Sequence, residues 1–284
     1  MWSVDRIADD LNELGVLPGT AVLVHASMRS IGPVESGAMG LLAALRSAVG
    51  PDGTIAVPTF TPQFRDPAEW QNPPESGDDI DAIRAQSTVF DIAQTPSLQP
   101  AMGIFSEVLR TQPEALRSHH PLLSFSAIGA LAPALVKNAP LHYPLGSESL
   151  PARLHDANGE VLLIGVEQDV NVSIHLAEIW AGAPYAHRSC RVKTAPDTWV
   201  TMQGSPECRD GFIKLEVVLR QARILKRGYV GNAIGRLMKQ RELVSMAIAM
   251  LQGSAESLLC SNPGCKHCTR ARHFTRREIR SEIW

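Results

Sequence analysis

Up to Val57 the chain alternates twice between helical spacing and short β-branched runs, and this alternation restricts the fold more than any other feature. Asp5 to Leu14 has apolar residues at helical spacing and is stopped by Gly15 and Pro18-Gly19 before the apolar run Ala21 to Val24. Gly40 to Val49 repeats the helical spacing, Pro51-Asp52-Gly53 makes a turn, and Thr54 to Val57 is a second buried run. An αβαβ order requires crossover helices packed on a sheet, so an α/β fold is expected, with a central mixed β-sheet flanked by helices. Strand signals at Leu123 to Ile128 and Val161 to Val166, and a helix signal at Gly103 to Arg110, extend the pattern to about residue 185.

Two segments break it. Thr61 to Thr95 is dense in Pro, Asp and Glu, has no clean period and is too long for a passive connector, so it reads as a lid inserted at about 61–95. After Asp210 the spacing is helical over Gly211 to Ala222 and again over Ile234 to Leu251, with no strand between. The expected organisation is therefore an α/β core over 1–205 and a mainly helical, cysteine-containing C-terminal subdomain over 206–284.

Composition narrows the function classes. With 44 % hydrophobic residues in 284, the chain can bury a sizeable core. Its 27 Lys and Arg against 29 Asp and Glu give a net charge of −2, which leaves no electrostatic footprint for nucleic acid. Asp5, Asp9 and Asp10 make the N-terminus an amphipathic helix and not a signal peptide, and no run approaches the roughly 18 apolar residues of a membrane span, so a cytoplasmic protein is expected.

The polar segment His25-Ala26-Ser27-Met28-Arg29-Ser30-Ile31-Gly32 follows the first strand, where open α/β sheets bind ligands. Thr95-Pro96-Ser97, ahead of the helix at Gly103, has the look of a capped helix start, a natural anion site that most often is only a cap. In Arg117-Ser118-His119-His120-Pro121 the histidine pair fits a polar loop as well as a ligand set. A helix beginning near Ser173 puts His175 in its first turn and Glu178 on the same face three residues on. The helix dipole there disfavours imidazolium, which suits a neutral base. Phosphate-loop, dinucleotide, nucleophile-elbow and zinc-protease signatures are all missing.

Cys260, Cys265 and Cys268 form C-x4-C-x2-C with Pro263-Gly264 turning the chain between them, a spacing that lets three thiolates converge on one tetrahedral ion. Cys208, or else His267 or His273, would complete the set, leaving Cys190 as a lone thiol. A structural zinc is expected in preference to a redox C-x-x-C.

Taken together, these segments resemble the aminoglycoside 3-N-acetyltransferase family, with its antibiotic N-acetyltransferase fold, over most of the chain. The carriers are His25 to Gly32, Pro58-Thr59-Phe60, Thr95-Pro96-Ser97 with Met102-Gly103, Arg117-Ser118 with His120-Pro121, and Asn171 through Glu178; Leu219 to Arg223 and Arg241 to Val244 are similar to members with a zinc-binding tail. The resemblance implies direct transfer of an acetyl group from acetyl-CoA to the 3-amino group of an aminoglycoside, a resistance activity. His175 would act as general base, oriented by Glu216 as first choice and Glu178 as the alternative. It places acetyl-CoA along His25, Ser27, Met28, Arg29, Ser30 and Ile31, near Thr95 and Ser97. A polycationic substrate calls for carboxylates in the cleft, for which Asp66, Glu69, Asp78, Asp79 and Asp81 of the lid and Glu178 are candidates. The same fold also serves acetyltransferases acting on other amines, and a non-catalytic CoA-binding relative would share it.

Overall fold

A computed structural model describes residues 1–70, 77–97, 102–205 and 207–281. Helix α1 (Val4–Leu14) begins where Ser3 Oγ accepts the Arg6 N–H at 3.2 Å and ends, as its sequence stop implies, at Gly15 in the left-handed region (φ 107°). The chain continues through β1 (Ala21–Ala26), α2 (Met28–Ile31), α3 (Gly37–Val49) and β2 (Thr54–Pro58). The segment 61–95, read from the sequence as a lid, contributes two 3-10 turns, Pro62–Phe64 and Pro67–Glu69, and α4 (Gly77–Gln86). Then follow α5 (Gly103–Arg110), β3 (Leu116–Arg117), β4 (Phe125–Gly129), α6 (Ala132–Val136), α7 (Leu150–Asp156), β5 (Glu160–Ile164) and α8 (Ser173–Trp180).

Seven described strands form the main sheet in the order β3-β4-β2-β1-β5-β9-β8, where β8 is Lys226–Val230 and β9 is Ala233–Lys239, with β1 parallel to both β2 and β5 and every outer pairing antiparallel. The sheet is mixed, as expected, and both faces are covered. Val22, Val24, Ile55, Leu162 and Ile164 point to one face and pack with Ile7, Leu11, Leu41, Leu45 and Phe105 of α1, α3 and α5. Leu23, Val161 and Leu163 point to the other, toward α7, α8 and the C-terminal segment. This alternation places His25 on the α8 side of β1, level with Leu163 of β5.

The C-terminal segment corrects the strand-free expectation. A separate hairpin, β6 (Ser189–Ala195) with β7 (Thr198–Gln203), precedes it, and α9 (Lys214–Gln221) leads into a second hairpin, β8 (Lys226–Val230) with β9 (Ala233–Lys239). Strand β9 pairs with β5, so residues after 206 complete the central sheet before α10 (Gln240–Gly253) and α11 (Lys266–Ser281). The helical reading of Ile234 to Leu251 fails because β9 is covered on both faces. Adjacent Leu237 and Met238 enter opposite cores, which erases the two-residue period. No described helix is long and apolar enough to cross a membrane.

Candidate active site

The carboxyl ends of β1, β2 and β5 open together, and the segment leaving β5 turns sharply at Gly165. Its φ is +67°, and a Cβ there would lie 2.4 Å from that of Ser30, so only glycine lets the α2 loop pass. The start of α8 is then fixed by a buried polar network. Asn171 Oδ1 accepts the Ser173 N–H at 3.1 Å, Asn171 Nδ2 donates to Gln168 Oε1 at 2.9 Å, and Gln240 Nε2 donates to Ser173 Oγ at 2.8 Å. All four residues are fully buried, and each of these bonds locks the helix in rotation and register.

That helix presents a buried pair. His175 Nδ1 and Glu178 Oε2 are 2.7 Å apart, and Phe212 stands edge-on to the imidazole at 4.9 Å between centroids. The pair lines a narrow cavity of about 30 Å³, room for a group the size of an amine, together with Tyr185, Arg188, Glu207, Cys208, His267 and Cys268. Glu207 bridges Arg188 and His267 in its wall. The Tyr185 hydroxyl has no hydrogen-bond partner among the described residues; burial, with the charges of Glu178 and Cys268, drives its pKa up.

A second cavity, of about 210 Å³, lies at the strand ends and is lined by His25, Ser27, Pro58, Phe60, Met102, Gly103, Ser106, Val172 and Arg209 among others. Burial, with the Arg209 charge beside it, holds His25 down to about 3, so the ring is neutral. The two cavities share walls: Val172 lines one and His175, a turn later, lines the other, while Glu207 and Cys208 line the first and Arg209 the second.

The structure redistributes several residues singled out in the sequence. Glu216 does not meet His175. Its two carboxylate oxygens accept from Arg236 Nε at 2.8 and 3.0 Å, and Glu178 holds the imidazole instead. Of the loop after β1, His25 and Ser27 line the larger cavity, whereas the Ile31 side chain is wholly inside the core. Met28 packs against that same core, Arg29 is exposed, and the Ser30 hydroxyl bonds Ser27 Oγ at 2.9 Å and the Gly165 carbonyl at 3.1 Å. Thr95 and Ser97 are buried at the base of the lid. Thr95 Oγ1 accepts the Asp91 N–H, and the Ser97 hydroxyl donates to Glu107, so neither caps α5, whose N-cap position is Met102.

The lid carboxylates are also engaged. Asp66 is buried and held by Arg84 (2.8 Å) and Arg191 (2.9 Å). Burial, the largest influence, would raise its pKa, but the hydrogen bonds from Arg84 and the Ala68 N–H, together with the charges of Arg84 and Arg191, outweigh it and keep the group below the usual carboxylate range. Glu69 accepts the Arg191 N–H at 2.8 Å and is raised by burial, Asp81 pairs with Arg84, and Asp79 is exposed. The Asp78 side chain lies outside the described residues. None of these described carboxylates lines the His175 cavity; Glu178 and Glu207 do.

Arg117 and His120 are structural. Arg117 donates to Ser124 Oγ and to the Thr59 and Thr95 carbonyls and lies over Phe90, tying the lid to the ends of β2 and β4. His120 Nδ1 accepts the Leu122 and Leu123 N–H groups at 3.0 and 2.9 Å, capping the turn before β4, and burial lowers it to about 4.

Cys208, Cys260, Cys265 and Cys268 converge, with all four Sγ atoms within 4.8 Å of one another. Cys260 N–H points to Cys268 Sγ and Cys268 N–H to Cys265 Sγ, so backbone donors face the sulfurs. Gly211 permits this closeness, because a Cβ there would fall 2.1 Å from the Leu258 carbonyl oxygen. His267, between two of these cysteines, turns to Glu207 instead, and Cys190 is buried apart from the cluster.

Sequence reasoning missed Tyr185, Arg188, Glu207, Arg209 and Phe212. Tyr185, Arg188, Glu207 and Arg209 come from irregular segments or a 3-10 turn, where no period marks a face, and Phe212 lies in a second 3-10 turn, inside a run whose helical spacing marks a packing face and not a site.

Known proteins resemble this chain in sequence and fold. The family model for aminoglycoside 3-N-acetyltransferase matches residues 23–252. Aminoglycoside N(3)-acetyltransferase IV of Salmonella sp is 33 % identical over 253 residues, covering 88 % of this chain and 87 % of the relative. An aminoglycoside N(3')-acetyltransferase-like protein of Bacillus subtilis, derived from prophage SPbeta, is 33 % identical over 249 residues, 85 % of this chain and 89 % of its own. The crystal structure of aminoglycoside acetyltransferase AAC(3)-IVa, as apoenzyme, superposes with a TM-score of 0.82 at 32 % identity, covering 96 % of this chain and 97 % of that one. AAC-IIIb, solved as a binary complex with CoASH, gives 0.78 at 26 % identity, covering 88 % and 96 %. The chain is an enzyme of the aminoglycoside 3-N-acetyltransferase family.

Proposed function

We propose that the chain transfers the acetyl group of acetyl-CoA directly to the 3-amino group of an aminoglycoside, with His175 as general base and Glu178 as the carboxylate that orients it. The observation that carries this reading is the buried His175–Glu178 pair at 2.7 Å, set in a cavity the size of an amine beside a larger cavity at the strand ends. With Nδ1 committed to Glu178, Nε2 is the ring atom left to take the proton. An aminoglycoside amine is mostly ammonium at neutral pH and must lose that proton before its nitrogen can attack a thioester. The Glu178 charge stabilises the imidazolium that results, and Glu207 supplies a second carboxylate toward a cationic acceptor. AAC-IIIb binds CoASH, and AAC(3)-IVa structures hold a gentamicin or apramycin, which supports acetyl-CoA and an aminoglycoside as the two substrates here.

The four cysteines fit a structural zinc, since a set of four sulfurs drawn this close, faced by backbone N–H donors, leaves no position for substrate. Bound there, zinc would cross-link the segment after β7 to the start of α11 and take no part in transfer. Elemental analysis of protein purified without chelator should find one zinc per chain, and none would remove this part of the reading.

The decisive test is thiol release from acetyl-CoA with apramycin, gentamicin and a scaffold lacking the 3-amine. Release that requires the 3-amine is expected. Tight acetyl-CoA binding without release to any of them would instead assign the enzyme a different amine.

A further inference from the structure

We infer that the neutral imidazole of His25 donates a hydrogen bond to the acyl carbonyl oxygen of the bound thioester, an inference that rests on acetyl-CoA being the donor substrate. His25 is 7 % exposed, lines the larger cavity, and its Nε2 has no hydrogen-bond partner among the described residues. Such an orphan is costly and persists where something else completes it. Its place in the strand is not open to adjustment: β1 pairs on both sides, and its alternation commits residue 25 to the face of Leu23, toward α8.

The lining chemistry selects what completes it. Among the described residues, His25, Ser27, Ser106 and Arg209 are the polar side chains lining this cavity, and none of its lining residues is a carboxylate. That set repels an ammonium group and welcomes oxygen acceptors, which describes the thioester arm and not the amine. The carboxylates sit in the neighbouring cavity with His175. The substrates therefore divide between the two cavities and meet at their shared wall, Val172 to His175 and Glu207 to Arg209.

In the step itself, His175 takes the ammonium proton and the freed nitrogen attacks the carbonyl carbon. The C–N bond forms, the π electrons move to oxygen, and the His25 N–H steadies that oxyanion without giving up its proton. Collapse breaks the C–S bond, the CoA sulfur leaves as thiolate, and the proton held by His175 passes to that sulfur as the product nitrogen sheds its remaining excess proton to solvent. Burial and Arg209 keep His25 neutral, so it does not compete with His175 for the proton.

The test uses full-length protein, acetyl-CoA carrying carbon-13 at the acyl carbonyl, and isotope-edited infrared spectroscopy of the binary complex, with CoASH binding by calorimetry as the reference lacking an acyl group. In the wild type the carbonyl stretch should lie at lower frequency than in His25→Leu, with kcat falling about a hundredfold in the variant, as for loss of one oxyanion donor. CoASH affinity should stay within about threefold, and His25→Gln, which retains an N–H, should recover part of both effects. If His25→Leu does not fold, His25→Phe fills the ring's volume and reads the same frequencies. Equal carbonyl frequencies in wild type and variant, or equal losses of CoASH and acetyl-CoA affinity with kcat unchanged, overturn the inference alone. Failure of the wild type to bind either acetyl-CoA or CoASH overturns the reading on which it rests.

Discussion

Which carboxylate holds a histidine is decided by what else competes for that carboxylate. Glu178 lies one turn from His175 on the same helix and, among the described residues, has no Lys or Arg within ion-pair distance, whereas Glu216 is claimed by Arg236, a buried arginine delivered by β9. Glu178→Gln should therefore lower kcat by about a hundredfold with little change in acetyl-CoA affinity, the usual scale for disabling acid–base catalysis. Glu216→Gln should leave kcat within about threefold and instead cost about 2 kcal/mol of stability, because Arg236 is left buried with a weaker partner. Steady-state kinetics and urea midpoints on the two variants separate the assignments, and the opposite pattern would restore Glu216 to the site. The helical pair was legible in the sequence because an i, i+3 spacing fixes a shared face without knowledge of the fold. The fate of Glu216 was not, since Arg236 reaches it through a strand whose pattern is masked by two-sided burial.

At the scale of elements, turns made the fold readable and covering made it unreadable. Gly15, Pro18-Gly19 and Pro51-Asp52-Gly53 delimit α1, β1, α3 and β2 almost to the residue. The Gly231-Asn232 dipeptide that joins β8 to β9 is an equally good local signal for a two-residue hairpin, but the flanking apolar residues mimic a helix. The segment read as a lid was misleading in its charges. Asp66, read as a contact for a cationic substrate, instead pins α4 to β6 through Arg84 and Arg191. Asp66→Asn should loosen that joint by about 2 kcal/mol, below the range for a wholly buried pair because both arginines keep contact with water. Limited proteolysis should then cut within 61–95 at least tenfold faster at neutral pH, while the His175–Glu178 pair is untouched. An unchanged cleavage rate would show that the lid is held by its apolar residues, Phe64 and Phe90, and not by this ion pair.

For the molecule as a whole, the strand ends that carry the site are also where protonation of histidine is costly. His25 ends β1 and His120 caps the turn into β4, beside the end of β2, and both are held neutral, at about 3 and about 4. The unfolded chain takes up a proton at each near the ordinary value of 6.5, so the unfolded state binds more protons between that value and the folded ones. Stability is then complete above about pH 6.5 and falls as pH drops toward 4. At pH 5 each histidine should have removed about 2 kcal/mol, or about 4 kcal/mol together, a large part of a typical 5–15 kcal/mol. Asp66 and Glu107, both held below the usual carboxylate range, lose their contributions only at lower pH and extend the decline without starting it. Urea midpoints at pH 7.5, 6 and 5 should trace this fall. His120→Asn, whose side-chain oxygen can accept from the Leu122 and Leu123 N–H groups, should lower stability at pH 7.5 and halve the slope below pH 6.5. A midpoint that does not move between pH 7.5 and 5 would mean that these two rings take up protons in the folded chain, and the neutral donor assigned to His25 would fall with it.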